Sequence, residues 1–138
     1  MTTTGELCSR VTAAAKILEQ QSNGLPQLSG ISVYAQYVSL STPNNFVRPW
    51  QAVADVAAWA AAFNVPCWIK TTYDGAGTVA AEFERDGVKF RMAVSINTSH
   101  AYELGAELRQ KLPKNDHLII LADHLAATVA TIEAGDAQ

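Results

Sequence analysis

Charge is scarce in this sequence, cysteine is scarcer, and long apolar runs are missing. Asp, Glu, Lys and Arg make up 17 % of the 138 residues. Globular chains usually carry about a quarter, so the shortfall points to surface that association buries. Neither sign dominates: the net charge is −3 and the pI about 5.5. That argues against a dedicated DNA-backbone binder, which normally shows a basic stripe, and is too slight for a nucleic-acid mimic. Two cysteines, Cys8 and Cys67, stand far apart without CxxC spacing. Buried free thiols in a reducing, cytoplasmic compartment are therefore expected. No stretch approaches 18 apolar residues, and no basic segment leads into an apolar run, so neither a membrane partner nor secretion is expected. There is no catalytic signature, no metal-ligand spacing and no GxxxxGK[ST] loop. No cofactor and no metal are expected.

Against those absences stands one strong local signal, between Val65 and Asn97. Asp86-Gly87 is the favoured pair for a two-residue type I′ hairpin, whose central residues both need positive φ. With that pair at the tip, Phe83 lies opposite Phe90, Glu84 opposite Lys89, Glu82 opposite Arg91 and Val79 opposite Val94. Alternation then sorts Val79, Ala81, Phe83, Phe90, Met92 and Val94 onto one face and the four charges onto the other. Two opposite-charge pairs and an apolar ladder agree on one register. A looser turn at Asp74-Gly77 adds a third strand. Loops of three or five residues put Cys67, Ile69, Thr71 and Tyr73 on the apolar side, and Trp68, Lys70 and Thr72 on the charged side. Trp68 is then an aromatic among charges on an outer face, either packed on the stems of Lys70 and Arg91 or free to contact a partner.

The rest of the chain reads as helices and one more strand. Thr3 and Glu6 have capping-box spacing, and Leu7, Val11, Ala14 and Leu18 form a helical stripe, giving a helix over about 4–20. A strand is expected over 31–39, covered on both faces. Pro49 starts a second helix over 49–63, with Trp50, Val53, Val56, Trp59, Ala60 and Phe63 within one half of its surface. A third helix is expected over 100–112, capped by Thr98 or Ser99 and ended by Pro113. A fourth, over 116–133, carries a seam of Leu118, Leu121, Leu125, Val129 and Ile132, with Ile119 and Ile120 exposed beside it. The expected fold is α+β in a single domain, 1–138: a four-stranded, mainly antiparallel sheet, comprising the 66–96 meander and the 31–39 strand. The helices lie mostly on one face.

Two functional readings follow. In the first the protein is a non-enzymatic protein-interaction module of the adaptor, chaperone or inhibitor kind, and a homodimer. Its partner-binding residues are Trp68, Lys70, Lys89 and Arg91 on the sheet and Ile119 and Ile120 on the last helix. In the second, a small ligand or substrate sits at the Asn97–Glu103 helix start, where free N–H groups favour an anion, with Asn97, Ser99, His100 and Tyr102 as its contacts. His100 would be the acid or base. His117 and His124 are seven positions apart, about 10 Å along a helix, too far to share an ion. Basic and aromatic residues interleave around Trp68, but Glu82 and Glu84 offset those charges, so nucleic acid is not the expected partner.

Overall fold

The computed structural model describes residues 3–20, 23–43, 48–72, 74–114 and 116–136. Its elements, in chain order, are α1 (Thr4–Gln20), β1 (Gly30–Val33), β2 (Val38–Ser41), α2 (Pro49–Ala62) and β3 (Cys67–Thr71). There follow β4 (Gly77–Arg85), β5 (Val88–Ile96), α3 (Thr98–Leu108), β6 (Leu118–Ile120) and α4 (Ala122–Asp136). The strands form one six-stranded sheet in the order β1-β2-β5-β4-β3-β6. It is a mixed sheet, because β2 runs parallel to β5 while the other pairs are antiparallel. The α+β class stands, with six strands in place of the expected four.

The β4–β5 hairpin has the register that its turn dictates. Asp86 and Gly87 both adopt positive φ, and Phe83 pairs with Phe90, Glu82 with Arg91 and Glu84 with Lys89. The β3–β4 connection is a five-residue loop closed by the Thr71–Gly77 pair, which puts Cys67 and Ile69 in the core. Tyr73 lies outside the described residues, as do 44–47 of the loop after β2.

Three expectations are corrected. The 31–39 strand is a hairpin, β1 and β2, folded over a turn where the Tyr34 N–H donates to the Tyr37 carbonyl and the two rings lie 5.1 Å apart. The segment expected to open the last helix contains β6, which pairs with β3 through Ile120–Cys67, Ile119–Trp68 and Leu118–Ile69. The helix begins only at Ala122, and Leu121 of the expected seam is exposed. Ile120, expected outside, is buried, because alternation in a strand turns it inward while Ile119 points out. The third helix ends at Leu108, before Pro113, where Arg109 takes the left-handed conformation and the Gln110 N–H reaches back to the Gly105 carbonyl.

All four helices cover one face of the sheet. α2 packs on β3, β4 and β5 and against α4. Ile17 of α1 and Arg85, at the core-side end of β4, line one hollow. A Cβ at Gly77 would meet Ala101 of α3 at 3.4 Å. The space between the layers is filled by Val53, Val56, Trp59, Ile69, Phe90, Met92, Leu104 and Leu125, all fully buried. Trp59 Nε1–H donates to the Pro26 carbonyl at 3.0 Å, which meets the need of a buried indole for an acceptor. On α1 the buried residues are Ala13, Ala14 and Ile17, whereas Leu7, Val11 and Leu18 of the expected stripe are exposed. At about 100° per residue that stripe lies roughly a quarter turn from the buried side.

Candidate functional site

Among the described residues, no helix covers the sheet's other face. Trp68 stands near its β6 edge, with Ile119 and Ala80 as its cross-strand neighbours. Three side chains fix the indole: the His117 ring stacks on it at 4.2 Å between centroids, the Lys70 ammonium lies 5.7 Å from its centroid, and the Arg91 guanidinium 5.6 Å. Cation–π attraction and the stacked imidazole therefore set the indole's orientation. In register Arg91 is opposite Glu82, yet it lies over the indole, and its Nε is buried without a hydrogen-bond partner among the described residues. Ile119 is 61 % exposed and Leu121 73 %, so an apolar fringe borders the tryptophan along the edge strand.

Four of the six expected partner-binding residues, Trp68, Lys70, Arg91 and Ile119, thus come together on one face. Lys89 shares that face but stands at the hairpin end, opposite Glu84. Ile120 is in the core. Sequence reasoning missed His117 and Leu121. Both fall in the segment read as the start of the last helix, and Leu118, Ile119, Ile120 and Leu121 are all apolar, so no in–out alternation in the sequence marks the strand.

The helix start is built differently from its expected form. Asn97, not Thr98 or Ser99, is the cap: its Oδ1 accepts the His100 N–H at 2.8 Å. The His100 ring turns toward α2 and meets Trp50 edge-on at 5.2 Å. Ser99 is exposed, and Tyr102 is 80 % exposed. The Thr98 hydroxyl donates to the Asp74 carbonyl, and a Cβ on Gly75 would meet Thr98 at 3.1 Å, so the β3–β4 turn is seated on the start of α3. Within that turn the Asp74 carboxylate accepts hydrogen bonds from the Thr72 hydroxyl and the Ala76 N–H, which hold its pKa below the usual range. Glu103 is shifted the other way, by burial and then by Asp136 at the end of α4, with His100 opposing the shift.

Beside α3 lies a cleft of about 600 Å³, walled by the helix, the Gly75 turn and the returning segment Gln110–Leu112. Thr98 and Tyr102 line it; Asn97, Ser99 and His100 do not. The ligand contacts expected at the helix start are therefore divided between two sides of α3. Arg109 and Lys111 also belong to the cleft.

Cys8 is exposed rather than buried, Cys67 is buried, and both are free thiols. Among the described residues no helix is long and apolar enough to cross a membrane. Compared with family models, curated proteins and solved structures, the chain matches none.

Proposed function

We propose that the chain is a single-domain, non-enzymatic protein-interaction module of the adaptor, chaperone or inhibitor kind, working through the uncovered face of its sheet. The observation that carries this reading is Trp68, held by His117, Lys70 and Arg91 on a face that no helix of the described residues covers. A tryptophan already fixed by its neighbours loses little rotamer freedom on binding, which is what a central anchor requires. The Lys70 and Arg91 cations beside the indole favour a partner that presents a carboxylate or carbonyl next to an apolar surface. Affinity capture from the native cell compares wild type with Trp68→Ala and Arg91→Glu. Loss of the same partner from both variants is expected, with a cost of about 2 kcal/mol or more for the tryptophan. An unchanged partner list would remove the sheet face from consideration.

The homodimer belongs to the same proposal, and its best-supported contact is α1. Leu7, Val11, Ala14 and Leu18 follow the four–three–four spacing of a two-helix seam, and three of them are in solvent. Sedimentation at tens of micromolar should show a dimer that Val11→Glu, Leu18→Glu converts to monomer and Ile119→Glu does not. A wild-type monomer throughout would end the self-association reading, and dissociation by Ile119→Glu alone would move the contact to the sheet edge.

A further inference from the structure

The cleft beside α3 exists because two anchors hold the returning chain off the helix. At one end α3 closes at Arg109, with φ 56° and ψ 39°, and the Gln110 N–H donates to the Gly105 carbonyl at 3.0 Å. Gly105 is what allows that reversal: a Cβ there would stand 3.0 Å from the Gln110 carbonyl oxygen and 3.5 Å from Leu112. At the other end the Pro113 carbonyl accepts from the Thr71 N–H at 2.8 Å and from its hydroxyl at 3.1 Å. The helix flank between the anchors carries small residues, Ala101, Gly105 and Ala106, so a hollow remains where larger side chains would have filled it. Its volume, about 600 Å³, lies within the range of small-molecule pockets.

We infer that this cleft binds a small amphiphilic carboxylate, an aryl or medium-chain alkyl acid. Its apolar body lies along Ala101, Ala106 and Leu112 and its carboxylate meets Arg109 and Lys111. Charge decides the class. Two cations line the cleft and, among the described residues, no carboxylate does; Glu103 and Glu107 of the same helix and Asp74 of the adjoining turn are not among its lining residues. The carbonyl end of α3 presents the equivalent of about half a negative charge, too little to neutralise two cations, so the potential there stays positive. Arginine in particular offers a planar fork for a carboxylate. The Thr71 and Thr98 hydroxyls give the walls a few polar points within an otherwise apolar lining, the usual make-up of a ligand pocket. This inference does not depend on the sheet-face reading.

The test is titration of the full-length protein with octanoate, octan-1-ol and octylamine, followed by calorimetry and by backbone NMR shifts. Octanoate should bind with a dissociation constant of about 1 mM or tighter, and its shifts should cluster in residues 71–76 and 98–112. The neutral alcohol should bind at least tenfold more weakly, and the amine more weakly still. Arg109→Asn, Lys111→Gln should weaken octanoate at least tenfold while leaving the alcohol unchanged; asparagine tolerates the left-handed backbone at 109, so the fold is kept. Ala106→Trp, at an exposed position, should abolish binding of both. No octanoate binding at millimolar concentration, equal affinity for acid and alcohol, or indifference to the double variant would each overturn the assignment.

Discussion

Cys67 and Cys8 should answer the same reagent differently. Burial pushes the Cys67 thiol from an ordinary 9.0 up to about 12, whereas Cys8 is exposed on the first turns of α1. A thiol reagent at pH 8 should therefore modify one cysteine in the native protein and two in denaturant, and two rapid native reactions would contradict the buried position. The shift also has a sign in stability. Unfolded, Cys67 ionises near its ordinary value; folded, it keeps its proton until about 12. Across that window the unfolded chain holds fewer protons, so stability falls as pH rises, by at most about 1.4 kcal/mol per pH unit. Urea melts between pH 9 and 10.5 should show a flatter decline for Cys67→Ala than for wild type. Asp55 is the other residue whose neighbours decide its role. It reads in sequence as the wet side of α2, yet it is 3 % exposed and accepts hydrogen bonds from the Thr42 hydroxyl at 2.6 Å and the Gln51 amide at 2.9 Å. Asp55→Ala removes the acceptor of a buried hydroxyl and should cost about 1–3 kcal/mol in chemical denaturation. Nothing local marks Asp55 as buried, because Thr42 is thirteen positions away along the chain.

At the scale of elements, the strands with strong turn chemistry were legible and the short ones were not. Asp86-Gly87 leaves one register open, and it is the register found. The bend between β1 and β2 was hidden because Ala35 and Gln36 carry no turn preference, so two four-residue strands read as one. β6 was hidden for another reason. Three residues are too few for periodicity to separate a strand from a helix, and the regular Leu125, Val129, Ile132 spacing of α4 extended backwards over it. The same limit hid His117, which reaches Trp68 only once β6 lies beside β3. Gly77 shows how tightly β4 and β5 pack side by side. A Cβ there would stand 2.9 Å from Ile96 Cγ1, a buried β-branched side chain with little freedom to move aside. Gly77→Ala should destabilise by about 1–3 kcal/mol in thermal or urea melts, and a neutral result would mean that Ile96 leaves more room beside Gly77 than described.

For the whole molecule, one-sided coverage separates stability from surface. The outer face contributes charges and an aromatic cluster but little of the core, so Lys89→Ala should change stability by less than about 0.5 kcal/mol. The C-terminal segment has the opposite standing. β6 pairs with β3 alone, and α4 supplies Leu125, Val129 and Ile132 to the core against α2 and α3. Both halves of the chain thus feed one apolar cluster, from Ala13 on α1 to Ile132 on α4. Truncation after Asp116 would strip four large aliphatic side chains, Ile120, Leu125, Val129 and Ile132, from that cluster, expose the facing side of α2 and turn β3 into an edge strand. Each of those side chains contributes roughly 1.5–3 kcal/mol by burial alone, and the sum rivals the 5–15 kcal/mol net stability of a typical domain. Residues 1–116 should therefore give no cooperative unfolding transition and lose the narrow side-chain signals of the native core, whereas the full chain should melt in a single step. A truncated chain that still melted cooperatively within a few degrees of wild type would show that α1, α2 and the β4–β5 hairpin stand without α4, and the chain would then be two units rather than one.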